Sequence, residues 1–246
     1  MSQLDLALEA EISTRHLSFV ETGRSTPSRE MILHLADQLK IPLRERNVLL
    51  TSAGFAPVFP ERPFNDESLT AARKTIDLIL RGFEPNPALA LDRHWNLITA
   101  NKAVDFLLKG VNASQLQPPI NVLRLSLHPE GFAPQIINFA EWRSHLFERL
   151  SRQIEITADS ILVDLEQELK SYPAPRNAEK NERTGQVESS TIAIPFRLLT
   201  DKGELSFLST TTVFGTPLEI TLSELAIESF FPADAATADY LYRGNQ

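Results

Sequence analysis

Residues 2–54 carry four short apolar stripes at helical spacing, each opened by a residue that caps or starts a helix and each stopped soon afterwards. Ser2 precedes Leu4, Ala7 and Leu8 at i, i+3 and i+4, and Asp5 stands where a first-turn acid can bond back to the serine, a shortened capping box. Ser13 opens a second stripe with Leu17, Val20 and Glu21 on one side, ended by Gly23. Ser28 opens a third (Met31, Ile32, Leu35, Ala36, Leu39), and Pro42 suits the first turn of a fourth with Val48 and Leu49 inside, with Gly54 as its stop. A chain that stops and restarts helices this often forms neither a long coiled coil nor a sheet here. It has to fold the helices against one another in a small all-α unit.

The remainder reads differently. Residues 55–67 contain Pro57, Pro60 and Pro63 and read as a linker, so the expected division is 1–56, a linker over 57–67, and 68–246. Ser68 caps a helix with Leu69, Ala72, Ile76, Ile79 and Leu80, ended by Pro85 and Pro87. Ala88–Leu91 and Trp95–Ala100 are apolar runs joined by Asp92-Arg93-His94, a hairpin signal, and Asn101 reads as the N-cap of a helix over Lys102–Lys109. Helices are expected over Phe139–Arg152 and Asp159–Leu169, then a polar loop over 173–190. Strands are expected over Thr191–Leu199, with Pro195 marking an edge or bulge, over Leu205–Phe214, and over Leu218–Leu222. The fold class is α+β: an all-α head followed by an antiparallel sheet packed with helices.

Within the head, Ser2–Ala10 and Ser13–Thr22 have the lengths and separation of a helix-turn-helix, whose second helix presents its N-terminal side chains to base edges in the major groove. Locking the pair with Leu4, Ala7, Ile12, Leu17 and Val20 leaves Thr14, Arg15, His16, Ser18 and Phe19 on the outward side. Arg15 can bond guanine O6 and N7 together, and Phe19 can pack on a thymine methyl. Gln3 and Ser13 sit at helix starts where phosphate is met, and Arg24 and Ser28 suit phosphate contacts from the following loop. The charge pattern runs against strong DNA binding: the whole chain is −8, and residues 1–56 hold six Lys/Arg (Arg15, Arg24, Arg29, Lys40, Arg44, Arg46) against seven Asp/Glu (Asp5, Glu9, Glu11, Glu21, Glu30, Asp37, Glu45). DNA affinity therefore has to come from a local basic face.

The pattern Ser2-Gln3-x-x-Leu6-Ala7, Ile12-Ser13, Leu17-x-x-Val20-Glu21-x-Gly23-Arg24, Pro27-Ser28, Leu35-Ala36-x-x-Leu39 resembles the Xre-type helix-turn-helix family over about 50 residues. Two departures stand out. Glu11 holds the turn position usually taken by glycine, which implies a side chain in left-handed backbone. The family also has a helix before the position of Ser2, so the head is expected to lack that first helix. The alternative reading is a ligand-binding or protein-interaction module whose shortened head no longer binds DNA.

Residues 86–101 resemble the opening of a PAS-like sensor: strand, Asp-led turn, strand, then Asn starting a helix. Leu205 to Pro217, with Glu228-Ser229-Phe230-Phe231-Pro232-Ala233-Asp234, resembles the end of the MmyB-like regulator ligand-binding domain. That resemblance implies a PAS-like sheet packed on helices around a cavity for a small apolar ligand such as a fatty acid. Phe106, Leu107, Phe139, Trp142, Leu146, Phe196, Phe207 and Phe214 are compatible with its lining, and Arg143 or His145 with meeting a carboxylate.

Catalytic patterns are missing. The histidines His16, His34, His94, His128 and His145 form no i, i+4 pair, and no metalloprotease motif, nucleophile elbow, phosphate loop or dinucleotide fingerprint occurs. With no cysteine, thiol chemistry and cysteine-held metals are excluded. The start Met1–Asp5 lacks a basic patch before an apolar core, and no apolar run approaches bilayer length. The expectation is a cytoplasmic, non-enzymatic transcription regulator without a metal or other cofactor. Its expected partners are double-stranded DNA, a small apolar ligand and a second copy of itself.

Overall fold

The computed structural model describes residues 2–175 and 193–243. Residues 176–192, which hold most of the loop expected over 173–190 and the start of the strand expected over 191–199, lie outside the described residues. The chain divides into two compact units, Met1–Asp66 with Phe214–Glu224, and Glu67–Val213 with Leu225–Gln246.

The first unit is built from α1 (Gln3–Glu9), α2 (Thr14–Glu21), α3 (Arg29–Gln38) and α4 (Leu43–Ser52). Ser2, Ser13 and Ser28 stand in extended backbone at the N-caps of the first three, accepting from the backbone N–H groups of Asp5, His16 and Met31. Asp5 returns the bond to the Ser2 backbone, completing the capping box. Glu11, at φ 51°, makes the turn between α1 and α2 in left-handed backbone. Ala7, Ala10, Leu17, Ile32, Ala36 and Leu50 form the interior, and the small alanines let the helix backbones approach closely. A ring nitrogen of His34 on α3 lies 2.8 Å from the carbonyl of Ala10 and covers the end of α1.

Residues 57–66, read above as a linker, are fastened to α4. The Asn47 side chain accepts from Val58 N–H and Phe59 N–H at 2.9 and 3.1 Å and donates to the Phe59 carbonyl at 2.7 Å. The segment 214–224 joins them. Ile220 N–H donates to the Pro60 carbonyl, Arg62 N–H donates to buried Glu219, and the Arg44 guanidinium forks onto Glu224 and Glu61. The strand expected over Leu218–Leu222 is corrected: residues Ile220–Ser223 form a helical turn, α9, with Glu219 as its N-cap accepting from Leu222 N–H at 2.9 Å. Alternation of Leu218, Ile220 and Leu222 suggested one apolar strand face, but Leu218 is 79% exposed and only Ile220 is buried.

The second unit is a five-stranded antiparallel sheet in the order β2-β1-β5-β4-β3, with helices packed against it. Its strands are β1 (Ala88–Leu91), β2 (Leu97–Ala100), β3 (Phe196–Thr200), β4 (Gly203–Val213) and β5 (Ala226–Pro232). The central pairings are in register at Ala90↔Ile227 and Ser209↔Phe230. α5 (Thr70–Gly82) packs on β1 with Ile76 and Leu80 buried. α6 (Val122–Leu127), α7 (Phe139–Thr157) and α8 (Ser160–Ser171) share one core with the sheet residues Leu91, Phe196, Phe207 and Phe230. α10 (Ala235–Arg243) covers β4 and β5, where the Ser206 N–H donates to Thr237 Oγ1.

The helix expected over Lys102–Lys109 is corrected to a single 3-10 turn, Lys102–Val104. Asn101 does not cap it, because its side chain is used elsewhere. The amide oxygen accepts from Ala88 N–H, and the amide nitrogen donates to the carbonyls of Leu80 and Asn86 at 3.0 and 2.9 Å. One buried side chain thereby ties the end of α5 and the entry to β1 to the exit of β2.

Candidate ligand cavity and nucleic-acid interface

The second unit holds a partly open cavity of about 80 Å³ between the sheet and the helices. Leu89 and Leu97 come from β1 and β2 and Phe196 and Phe230 from β3 and β5; Leu123 and Leu125 come from α6, and Trp142 and Leu146 from α7. The connection from β2 to α6 adds Val104, Leu107, Leu108, Leu116 and Ile120. The polar atoms of the two indoles are already satisfied: Trp142 Nε1 donates to Ser126 Oγ at 3.0 Å, and Trp95 Nε1 donates to Gln153 at 2.9 Å. Both tryptophans therefore offer the cavity apolar surface. Trp142 stacks on Phe196 at 4.8 Å between ring centroids, and Phe196 meets Phe230 at 5.9 Å, so the aromatic wall is continuous. A space so lined favours apolar groups and disfavours water, which needs two to four polar partners.

Of the residues anticipated for this cavity, Leu107, Trp142, Leu146 and Phe196 line it. Phe139 and Phe207 are core residues outside the lining, and Phe106 packs edge-on against Tyr240 at 5.6 Å. Phe214 falls in the first unit. Arg143 lies over the Phe147 ring and donates to the Lys170 carbonyl, away from the lining. His145 packs on Trp142, where burial, and then the Arg149 charge, hold its pKa below the usual histidine value. Its uncharged form is thereby favoured, which makes it a weak partner for a carboxylate.

Trp95, Phe132, Phe230 and Glu228 belong to the wall but were not singled out from sequence. Glu228 is the one charged side chain among the described lining residues. It pairs with Arg149 of α7, whose guanidinium lies 4.7 Å from the centroid of the Trp95 ring.

In the first unit, Ser13 caps α2, leaving Thr14, Arg15 and His16 exposed in its first turn. The guanidinium groups of Arg15 and Arg24 both lie over the half-buried Phe19 ring, at 5.4 and 6.0 Å from its centroid. The structure thus gathers two cations and an aromatic ring at one place on α2 and the turn after it. Ser18 is half-buried, and its carbonyl accepts from Thr22. Gln3 is held by a hydrogen bond to Glu21, linking the start of α1 to the end of α2, and Ser28 is occupied as the cap of α3. Among the described residues no cluster of three or more His, Asp or Glu could hold a metal, and no helix is long and apolar enough to cross a membrane.

A family model described as "MmyB-like transcription regulator ligand binding domain" matches residues 72–243, well over half of the chain. A second, described as "Helix-turn-helix", matches residues 1–46. No curated protein matches the chain. Both family descriptions are regulatory rather than catalytic.

Proposed function

The chain belongs to the MmyB-like transcription regulator ligand binding domain family and, with its helix-turn-helix head, is a DNA-binding transcription regulator; on that basis we propose that it responds to a small apolar molecule, such as a fatty acid, held in the cavity of its second unit. The observation that supports this reading is the cavity itself, walled by leucines and aromatic rings whose polar atoms already have partners. In this reading α2 is the recognition helix, with Arg15 reading a base and Arg24 and Gln3 near phosphate. Two copies of the chain bind paired half-sites in the cytoplasm. The ligand acts by favouring one arrangement of the regulator over another, because equal affinity for both would shift nothing.

The chain reports cavity occupancy without a label, since its two tryptophans, Trp95 and Trp142, both line the space. Titrating the protein with alkyl compounds of increasing length changes tryptophan emission. Affinity rises about fourfold per methylene, the factor equivalent to about 0.8 kcal/mol, until the space is filled. Emission that ignores every chain length rejects the cavity as a ligand site. For the head, Arg15→Ala weakens binding to a duplex selected from a random pool by a factor of about 5–150, from ~1–3 kcal/mol of base discrimination, with the fold intact. Unchanged affinity rejects α2 as the reading helix.

A further inference from the structure

Strand β4 outruns its neighbour on one side. β5 pairs with it from Phe207 to Val213, whereas β3 pairs with it from Gly203 to Phe207 and goes no further. The pleat decides which main-chain groups are left over. Ala233 N–H donates to the Ser206 carbonyl at 2.8 Å, so in this unbroken register the even-numbered residues of β4 face β5 and the odd-numbered ones face the other way. Phe207 meets Phe196 there. Beyond it, Ser209, Thr211 and Val213 direct three N–H and three C=O groups to a side where no described strand lies. Thr210, Thr211, Thr212 and Val213 are exposed, Val213 at 62%. The outer strands are better covered. Leu97 N–H of β2 donates to the Ile120 carbonyl at 2.7 Å, and the Arg197 carbonyl of β3 accepts from Ile137 N–H at 2.9 Å. Residues 208–213 also hold no charge and no proline, the usual guards of a bare edge.

We propose that two copies of the chain meet at this edge, β4 against β4, antiparallel about a two-fold axis at Thr211. This rests on the two-copy reading above and names its surface. The edge suits a second copy because it is complementary to itself. Turned end for end, Ser209 stands opposite Val213, Thr211 opposite Thr211 and Val213 opposite Ser209, and each pair exchanges two bonds, about six in all. Charge points the same way. The chain carries −8, so two copies repel over much of their surface, but residues 205–218 are uncharged and nearby Glu228 is paired with Arg149. β4 also lies beside β5, which supplies Phe230 to the cavity wall, so the cavity and the dimer edge share one sheet.

The test uses the full chain. Sedimentation velocity over a range of concentrations shows a reversible dimer. Val213→Pro, checked for an unchanged melting temperature, deletes a donor on the open side and no bond to β5. It raises the dimer Kd at least about tenfold, because one hydrogen bond is lost in each half of the pair. The chain has no cysteine, so Thr211→Cys carries one thiol per copy. The axis brings the two Cα atoms to about 5.5 Å, within the span of a disulfide, and oxidation with diamide gives a covalent dimer. Leu199→Cys, 55% exposed on β3, stays largely uncrosslinked. If the chain dimerises but Val213→Pro leaves the Kd unchanged, or Leu199→Cys crosslinks as fast as Thr211→Cys, the copies meet elsewhere: the proposal falls and the two-copy reading stands. A chain that is monomeric at every concentration also overturns the proposal. If it remains monomeric on the selected duplex, the two-copy reading falls with it.

Discussion

Replacing Asn101 by alanine removes three hydrogen bonds from a side chain that is 5% exposed. Their consequences are unequal. The Leu80 carbonyl keeps a second donor, the Phe83 N–H at 3.2 Å, so it loses one bond of two. The Ala88 N–H and the Asn86 carbonyl have no other partner among the described residues and become buried orphans. Taking about 1 kcal/mol for the shared bond and roughly 1–2 kcal/mol for each orphaned group gives a loss of about 3–5 kcal/mol. That is a large share of the ~5–15 kcal/mol that holds a typical domain. Urea unfolding followed by tryptophan emission measures it, because both tryptophans lie in the second unit. With a slope of about 2 kcal/mol/M the midpoint falls by about 2 M. Asn101→Asp is at least as damaging, because its carboxylate keeps an acceptor for Ala88 N–H but turns its other oxygen on two carbonyls. A loss below about 1 kcal/mol for Asn101→Ala refutes the reasoning: the β1 entry is then held by packing, and the three bonds are incidental.

Other consequences are equally direct. Glu11→Gly relieves left-handed backbone at φ 51° and stabilises the head by about 1 kcal/mol, read as roughly fivefold slower hydrogen exchange of α1 and α2 amides; unchanged exchange contradicts the strain. Gly131→Ala places a Cβ 2.1 Å from the Leu125 carbonyl oxygen, beside two cavity residues, Leu125 and Phe132. It costs at least about 2 kcal/mol in urea unfolding and weakens ligand binding. Glu168 is held below the usual carboxylate range chiefly by its hydrogen bonds from Arg124, with burial opposing and the Tyr172 hydroxyl assisting. A depressed folded pKa contributes stability that is complete above the unfolded value of 4.5 and is lost as pH falls through the folded value. Glu168→Gln is therefore less stable at pH 7 and loses less on acidification below pH 4.5, as thermal melts across pH 3–7 will show.

The caps of the head were legible because their determinants are local, but its inward faces were not: Leu4 and Val48, expected inside, are 57% and 59% exposed, and the interior is carried instead by Ala7, Leu17 and Leu50. Three serines at helix starts announce themselves within four residues, and each caps in the structure as its spacing implies. Glu11 likewise stands in the left-handed turn that its place in the motif requires. The β1–β2 hairpin was legible from two apolar runs around a polar turn. Strand β5 was not, because Ile227, Glu228, Ser229 and Phe230 are all buried, and a strand covered on both faces shows no alternation. α6 hid for the same reason, with Leu123, Leu125, Ser126 and Leu127 all inside. Asn101 was noticed but given the wrong task, since its partners Leu80 and Asn86 lie 21 and 15 residues away, beyond any capping window. The cavity's aromatic side chains could be named as a class, yet which of them face the space depends on how α6, α7 and the sheet meet. Glu228 could have been flagged only as an acid inside the apolar run Ala226–Phe231, because Arg149 lies 79 positions earlier.

Regulation of DNA binding by an apolar ligand is tested most directly on one duplex, selected from a random pool, at one fixed salt concentration, because affinity falls steeply with salt. Its Kd is measured by fluorescence anisotropy with the cavity empty and then filled, occupancy being followed by tryptophan emission. The predicted result is a change in Kd of at least about fivefold in either direction, the lower end of ordinary coupling between two sites. An unchanged Kd while emission reports a filled cavity contradicts it.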